Sequence, residues 1–485
     1  MPANGLQNAE SLILALGAGL VLLLLTAFSR RPIGGLSFFI AIATGVISLF
    51  FCWSGWLTAS PVASRMLLFD RPSFALDLVI WVSTILTLLF SRDYLRERGL
   101  ERGEYYPLLL FSVAGLLLVV HGEDLIVIFL GIEIAALATY ILTGLRRGVI
   151  KCYEASLKYF VLGSFASAFL LYGIALVYGA VGSTSLKALS VWSSGDPLLL
   201  SIGLAFLLIG VGFKIAAVPF HFWSPDVYEG APTPITGFMA SAVKVGGFAV
   251  LIRVALSVIH LVEVPWVPLL WLLSVLTMTV GNLAALRQAN LKRLLAYSSI
   301  AHAGYALIGV TAAMKEPTLQ GSAFGAVLFY LFAYSVMTLG AFAVVIAVSR
   351  KGGATEIEDL SDYAGLGERH KGLAAVMTLF LLSLLGMPPT IGFVGKFYLF
   401  SGAIEAGLPG LVVIGVLNSL VSVYYYLAPV MKIYFSRSSR AFEQAPLSPA
   451  FLIGLVICVF GVIYLGLFPS DLFLIARESM RGLEF

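Results

Sequence analysis

The chain has 485 residues, 60% of them hydrophobic and 12% charged, with a formal net charge of +4. Water-soluble domains carry roughly 25% charged residues. Half that share, with a mean hydropathy of +0.98, excludes a water-facing globular enzyme and points to a bilayer.

Crossing the hydrocarbon core takes about 20 apolar residues in helical form. The first such run is 10–28. The ten residues that open the chain hold Glu10 and no Lys or Arg, and Arg30 and Arg31 follow the run. This is the pattern of a retained helix ending in the cytoplasm rather than a cleaved signal peptide. Further runs lie at 33–52, 73–91, 105–121, 123–145, 154–180, 199–228, 234–259, 266–286, 292–312, 320–349, 371–403, 408–434 and 449–469. The prediction is an all-α polytopic membrane protein of about fourteen spans in one membrane domain. Its expected parts are an N-terminal set of three helices (1–104), a first half (105–259), a second half (266–434) and a C-terminal helix and tail (435–485).

Loop charge tests the span count, because cytoplasmic loops are rich in Lys and Arg. On one side the predicted loops carry Arg30, Arg31, Arg92, Arg96, Arg98, Arg102, Arg146, Arg147, Lys151, Arg287, Lys292, Arg293, Arg350, Lys351, Arg369, Lys371, Lys432, Arg437 and Arg440. The other side carries Arg65, Arg71, Lys187, Lys315, Arg477 and Arg481. This asymmetry places both termini on the outer side.

Five basic residues remain, and all fall inside predicted helices: Lys158, Lys214, Lys244, Arg253 and Lys396. A charge at the bilayer centre costs about 2.5–3.5 kcal/mol, so such groups face a protein interior or an aqueous cavity. At 1.5 Å per residue, Glu133 and Lys244 each lie about ten residues into their helices, near the midplane. Burial favours a neutral amine and a nearby carboxylate favours the ammonium. A lysine near a movable glutamate is therefore a switchable proton site without a cofactor. Lys158 is read either as such a site or as a side chain reaching the cytoplasmic interface. Arg253, nine residues beyond Lys244, is read as an interface anchor at the outer end.

The runs 199–228 and 371–403 are longer than one crossing needs, and each has proline midway: Pro219 in the first, Pro388 and Pro389 in the second. Proline removes a backbone bond and clashes with the preceding turn. Paired broken helices mark transporters built from inverted repeats. Spans 4–8 and 9–13 are predicted to be such a pair, with spans 7 and 12 broken; two ordinary proline kinks are the alternative. His221 follows Pro219 closely and is a candidate relay at neutral pH. Tyr297 and His302 in span 10 are candidates to bridge the two lysine sites. Each has the alternative of a packing residue.

Three stretches then carry a resemblance. They are Lys214-Ile-Ala-Ala-Val-Pro-Phe-His-Phe-Trp-Ser-Pro-Asp-Val-Tyr-Glu-Gly-Ala-Pro-Thr-Pro, Asn290-Leu-Lys-Arg-Leu-Leu-Ala-Tyr-Ser-Ser-Ile-Ala-His-Ala-Gly-Tyr, and Ser383-Leu-Leu-Gly-Met-Pro-Pro-Thr-Ile-Gly-Phe-Val-Gly-Lys-Phe-Tyr. Nearly the whole chain resembles the subunit N family of NADH–quinone oxidoreductase (respiratory complex I), an antiporter-like membrane-arm subunit. The resemblance implies proton translocation driven by electron transfer elsewhere. It also implies that Glu133, Lys214, Lys244 and Lys396 carry the translocation, and that Lys158 is a further lysine of the family, in span 6. Ala135 and Ala136 depart from the Ser-Leu that often follows the glutamate.

No cofactor is implied on this chain; FMN, iron–sulfur clusters and quinone are implied in other subunits. The three cysteines, Cys52, Cys152 and Cys458, are scattered singly, so no metal, haem or disulfide framework is expected either. The implied partners are membrane lipids, the antiporter-like subunit M, the small subunit K and the lateral helix of subunit L, with no nucleic acid. The implied location is a bacterial plasma (inner) membrane. A sodium/proton antiporter subunit of Mrp type is the alternative. Sodium prefers oxygen ligands, and Glu133, with Asp77 and Glu154 at the periphery, is the only carboxylate in the helices suited to it. A membrane scaffold that transports nothing ranks last, because it leaves the buried charges without a purpose.

Overall fold

The computed structural model describes residues 8–29, 33–58, 62–63, 66–101, 103–193, 195–259, 265–349, 357–437 and 446–480. Of the loop charges counted above, Arg30, Arg31, Arg65, Arg102, Arg350, Lys351, Arg440 and Arg481 lie outside the described residues. Among the described residues the fold is all-α apart from one short antiparallel hairpin. The chain opens with α1 (Glu10–Phe28) and α2 (Gly34–Thr58), then the hairpin strands β1 (Val62–Ala63) and β2 (Leu68–Phe69), then α3 (Arg71–Glu97). Next come α4 (Tyr105–His121), α5 (Leu125–Thr143), α6 (Ile150–Val181), the single-turn α7 (Leu186–Ser190), α8 (Pro197–Ile215), α9 (Trp223–Gly230), α10 (Thr233–Phe238) and α11 (Lys244–Val258). The second part holds α12 (Trp266–Ala285), α13 (Leu291–Lys315), α14 (Gln320–Val348), the short α15 (Leu366–Arg369), α16 (Lys371–Leu385), α17 (Ile391–Glu405), α18 (Pro409–Phe435), α19 (Pro449–Leu467) and α20 (Ser470–Ser479).

Among the described residues, twelve helices are long and apolar enough to cross a membrane. Tyr105–His121 and Lys371–Leu385 are shorter apolar helices. Local chemistry sets several helix starts. The carboxylates of Asp70 and Asp124 and the side-chain oxygen of Asn290 accept from the first-turn amides of Ser73, Ile126 and Arg293. Such caps satisfy donors that a helix start leaves unpaired.

Both long runs are broken, as the prolines require. In each, the helix ends before the proline in a left-handed residue: Ala216 at φ 58° and Gly386 at φ 91°. The closing bonds match. Ala217 N donates to Gly212 O and Met387 N to Leu382 O, while Ala216 N and Gly386 N donate to the carbonyls three residues back. This is the Schellman closure, normally made with glycine. Glycine adopts this conformation without strain, so the alanine at 216 is the costlier choice. Side-chain donors also reach carbonyls at the breaks: Trp223 Nε1 adds a second bond to Phe213 O, and Lys396 Nζ reaches Leu385 O. Backbone polar groups at membrane depth require this satisfaction.

The protein-lined centre is formed by Thr233–Val258, Leu291–Lys315, Pro317–Val348 and Arg71–Glu97, whose most apolar stretches are 100%, 94%, 94% and 83% buried. Helices at the margin present Phe165, Leu157, Leu420 and Val456 outward. Close helix pairs depend on glycine. A Cβ at Gly115 would sit 2.5 Å from Ala135 N, so α4 and α5 touch backbone to backbone. A Cβ at Gly304 would sit 2.5 Å from Met278 N, and the same holds for α12 and α13. Small residues at such crossings let membrane helices approach.

Candidate functional site

Lys244 opens α11 directly after a π-helical turn, Met239–Val243, in the most enclosed span of the chain. Turns of this kind occur as single-turn bulges within helices, frequently at functional sites. The Lys244 ammonium donates to Ser299 O at 2.6 Å and to the Ser299 hydroxyl, and lies 5.6 Å from the ring centre of Tyr334. On α13, Ser298, His302 and Tyr305 recur at helical spacing and share a face. His302 Nδ1 is 2.6 Å from the Tyr330 hydroxyl and Nε2 is 3.0 Å from the Tyr426 hydroxyl. Tyr426 also bonds Ser298. The imidazole ring lies 5.0 Å from Tyr334 and 5.8 Å from Tyr305. The Lys396 ammonium sits 4.6 Å from the Tyr305 ring centre and 3.2 Å from Ser419 Oγ. His302 is thus enclosed by tyrosines and lies in the electrostatic field of both Lys244 and Lys396.

In the first half, α5 supplies Glu133 and α8 supplies Lys214. Glu133 accepts from the Ser167 hydroxyl of α6. Lys214 is buried in the last turn of α8, 5.9 Å from the Tyr140 ring centre. The Glu133 carboxylate acts on it electrostatically without a direct ion pair. Tyr140, Tyr334 and His221 each bury a polar side-chain atom that has no hydrogen-bond partner. Buried polar groups are normally paired, so these atoms mark polar positions that the protein itself does not satisfy.

The remaining sequence candidates fall elsewhere. His221 lies in the break between α8 and α9, its ring against Phe222. Tyr297 stacks beneath Arg293, one turn earlier on α13, and does not join the His302 cluster. Lys158 is 40% exposed at its side chain and pairs with Glu154 at 2.6 Å and Asp226 at 2.7 Å. It lines a polar cavity of about 220 Å³ with Lys151, Glu154, Asp226, Glu229 and Arg293. Arg293 bonds Asp226 at 2.5 Å and Glu229 at 3.1 Å, and Lys151 bonds Glu229 at 2.7 Å. Arg253 is not an interface anchor. It is buried, donating to Val120 O at 2.8 Å, to Asp70 at 3.1 Å and to the Ser73 hydroxyl. Packing from α3 and α4 covers the helical face that the sequence leaves unassigned. The residues that join the two lysines, namely Ser299, Tyr305, Tyr330, Tyr334 and Tyr426, were not singled out from sequence. The 298–302–305 spacing on α13 was the available signal for Tyr305; nothing local marks the other three tyrosines.

A family model described as NADH:quinone oxidoreductase/Mrp antiporter, TM, matches residues 122–422. The chain is 42% identical over 468 residues to NADH-quinone oxidoreductase subunit N of Trichlorobacter lovleyi, covering 96% of this chain and 94% of that one. It is similar to a chain of respiratory complex I from Thermus thermophilus with bound aureothin, at 34% identity and a TM-score of 0.81, covering 96% of this chain and 99% of that chain. At 22% identity, a chain of the Mrp complex from Dietzia shares the fold, with a TM-score of 0.83 over 99% of this chain and 98% of that one.

Proposed function

The chain belongs to the NADH:quinone oxidoreductase/Mrp antiporter transmembrane family, and we propose that it is the proton-translocating, antiporter-like subunit in the membrane arm of an NADH–quinone oxidoreductase. In this reading protons enter from the cytoplasmic side towards Lys214. They pass through Lys244 and the His302 cluster to Lys396, and leave on the outer side. Electron transfer takes place on partner subunits, and the neighbours here are subunits M, K and the lateral helix of L. The membrane is a bacterial inner membrane with both termini outside. Spans 4–8 and 9–13 act as an inverted pair. The matching Schellman closures and the matching glycine contacts of α4 with α5 and α12 with α13 support that pairing.

One arrangement carries the reading: His302, hydrogen-bonded at both ring nitrogens, stands between Lys244 and Lys396. A neutral imidazole with one donating and one accepting nitrogen can pass a proton by exchanging their roles. Unpaired polar atoms at Tyr140, Tyr334 and His221 give water places to complete the path. Glu133 supplies the switch. At an effective dielectric of about 20, moving a carboxylate from about 5 to about 10 Å from an ammonium weakens their attraction by roughly 1.7 kcal/mol, more than a tenfold change in proton affinity. Lys158 and the cavity it lines form the mouth of the path on the cytoplasmic side.

Lys214→Ala in the assembled complex is expected to lower proton pumping and the quinone reduction coupled to it, measured in inverted membrane vesicles. Normal pumping by that variant would sink the assignment. The shared fold of the Mrp chain favours a second reading, a cation/proton antiporter subunit. Purification separates the two: copurification with flavin and iron–sulfur subunits supports the first, and sodium-dependent transport without them supports the second.

A further inference from the structure

A second buried ionisable cluster lies away from the lysine line, at the hairpin end of the bundle. Asp77 on α3 and His121 at the end of α4 are both buried, with His121 Nε2 at 2.7 Å from Asp77 Oδ2. His121 Nδ1 is 3.1 Å from the carbonyl oxygen of Leu68 in β2. The ring is held by Phe69 at 4.7 Å and Phe74 at 5.6 Å. Asp77 Oδ1 has no hydrogen-bond partner.

The hydrogen-bond roles follow from chemistry. A carbonyl oxygen only accepts, so Nδ1 carries a hydrogen. Nε2 and the carboxylate then face each other at bonding distance, and one proton must lie between them. Ionised Asp77 beside a neutral ring protonated at Nδ1 would set two lone pairs in opposition. We propose that Asp77 and His121 form a proton-binding site, separate from the lysine line, whose bound proton pins the β-hairpin to the helix bundle.

Loss of that proton leaves the ring one hydrogen for two acceptors. The charge-assisted bond to Asp77 is the stronger, so the hydrogen moves to Nε2 and Leu68 O is abandoned. The Ser73 hydroxyl also lies near Leu68 O, at 3.2 Å, and its single hydrogen is also claimed by Asp70. The hairpin region holds to the α4 end by the bridge between Leu67 and Gly122 and by Glu123 N to Met66 O at 3.0 Å. Losing the Leu68 bond loosens this attachment.

Cys52 of α2 lies 3.9 Å from Asp77 Oδ2. Arg253 of α11 and Asp70, which caps α3, act on the pair electrostatically and are bonded to each other at 3.1 Å. Arg71 lies over Trp56. Glu123 is tied to Ser185 and the amide of Lys187, and Asp124 to Thr184.

The test is hydrogen exchange of amides 66–69 in the full-length chain in lipid nanodiscs, from about pH 6 to about pH 10, corrected for intrinsic exchange. As pH rises, exchange in this segment is expected to increase on the order of tenfold, the factor one net hydrogen bond contributes. Amides of α13 serve as the reference. In Asp77→Asn the amide donates to Nε2 without titrating, so Nδ1 stays on Leu68 and the rise is lost. In His121→Gln the rise is also lost. An absent rise in the wild type, or the same rise in either folded variant, would overturn the proposal.

Discussion

Lys244→Arg is expected to assemble into its membrane complex and to move protons at least about tenfold more slowly than the unsubstituted chain. The substitution keeps a cation where Lys244 meets Ser299 and Tyr334. Guanidinium does not release its proton in proteins, whereas a buried ammonium does. The variant therefore separates two roles. If Lys244 serves only as a structural cation tethering α11 to α13, arginine supports normal function. If it must give up and regain a proton, arginine blocks the path while the complex remains whole. Proton uptake in inverted vesicles, set against the amount of assembled complex, reads the difference. Lys244→Ala is expected to lose the same activity, with an added packing defect in the most enclosed span.

Arg253→Ala is expected to destabilise the fold by about 3–5 kcal/mol, the usual cost of removing one partner of a buried ion pair. From α11, Arg253 reaches three groups on two other helices: the α4 carbonyl of Val120, the α3 cap Asp70, and Ser73 in the first turn of α3. Removing it leaves the buried Asp70 carboxylate without its counter-charge, held among the described residues by Ser73 alone, and takes the side-chain donor from the Val120 carbonyl. A lower melting temperature in detergent and a smaller yield of folded chain are the measurements. Arg253→Lys cannot reach all three acceptors and should recover only part of the loss. Replacing Arg253 and Asp70 together by apolar residues should recover more, because no unpaired charge remains. Equal stability of wild type and Arg253→Ala would show that the network contributes nothing.

The apolar runs were legible because crossing a bilayer is a local demand. Each stretch of about 20 residues must meet it alone, so α1 and α4 match the sequence at both ends and most other spans lie within a few residues. The two breaks were legible for the same reason, since proline acts on its own preceding turn. Lys214, Lys244 and Lys396 stood out because a charge in an apolar run is conspicuous wherever it points. Neighbours across helices were not legible. The chain has 20 tyrosines, and nothing local separates Tyr330, Tyr334 and Tyr426, which surround His302 or Lys244, from those facing outward. Tyr297 shows the converse: it lies five residues from His302 but on another face, beneath Arg293. Lys158 and Arg253 looked alike as cations near helix ends. Packing placed the first in a polar cavity and buried the second in an ion pair. Composition and periodicity therefore determined that the chain crosses a membrane repeatedly and carries lysines inside it. Only tertiary structure decided which side chains meet, because those contacts join residues 28 to 183 positions apart, as in His302 with Tyr330 and Arg253 with Asp70. Such pairings depend on how whole helices rotate and pack, which no single span encodes.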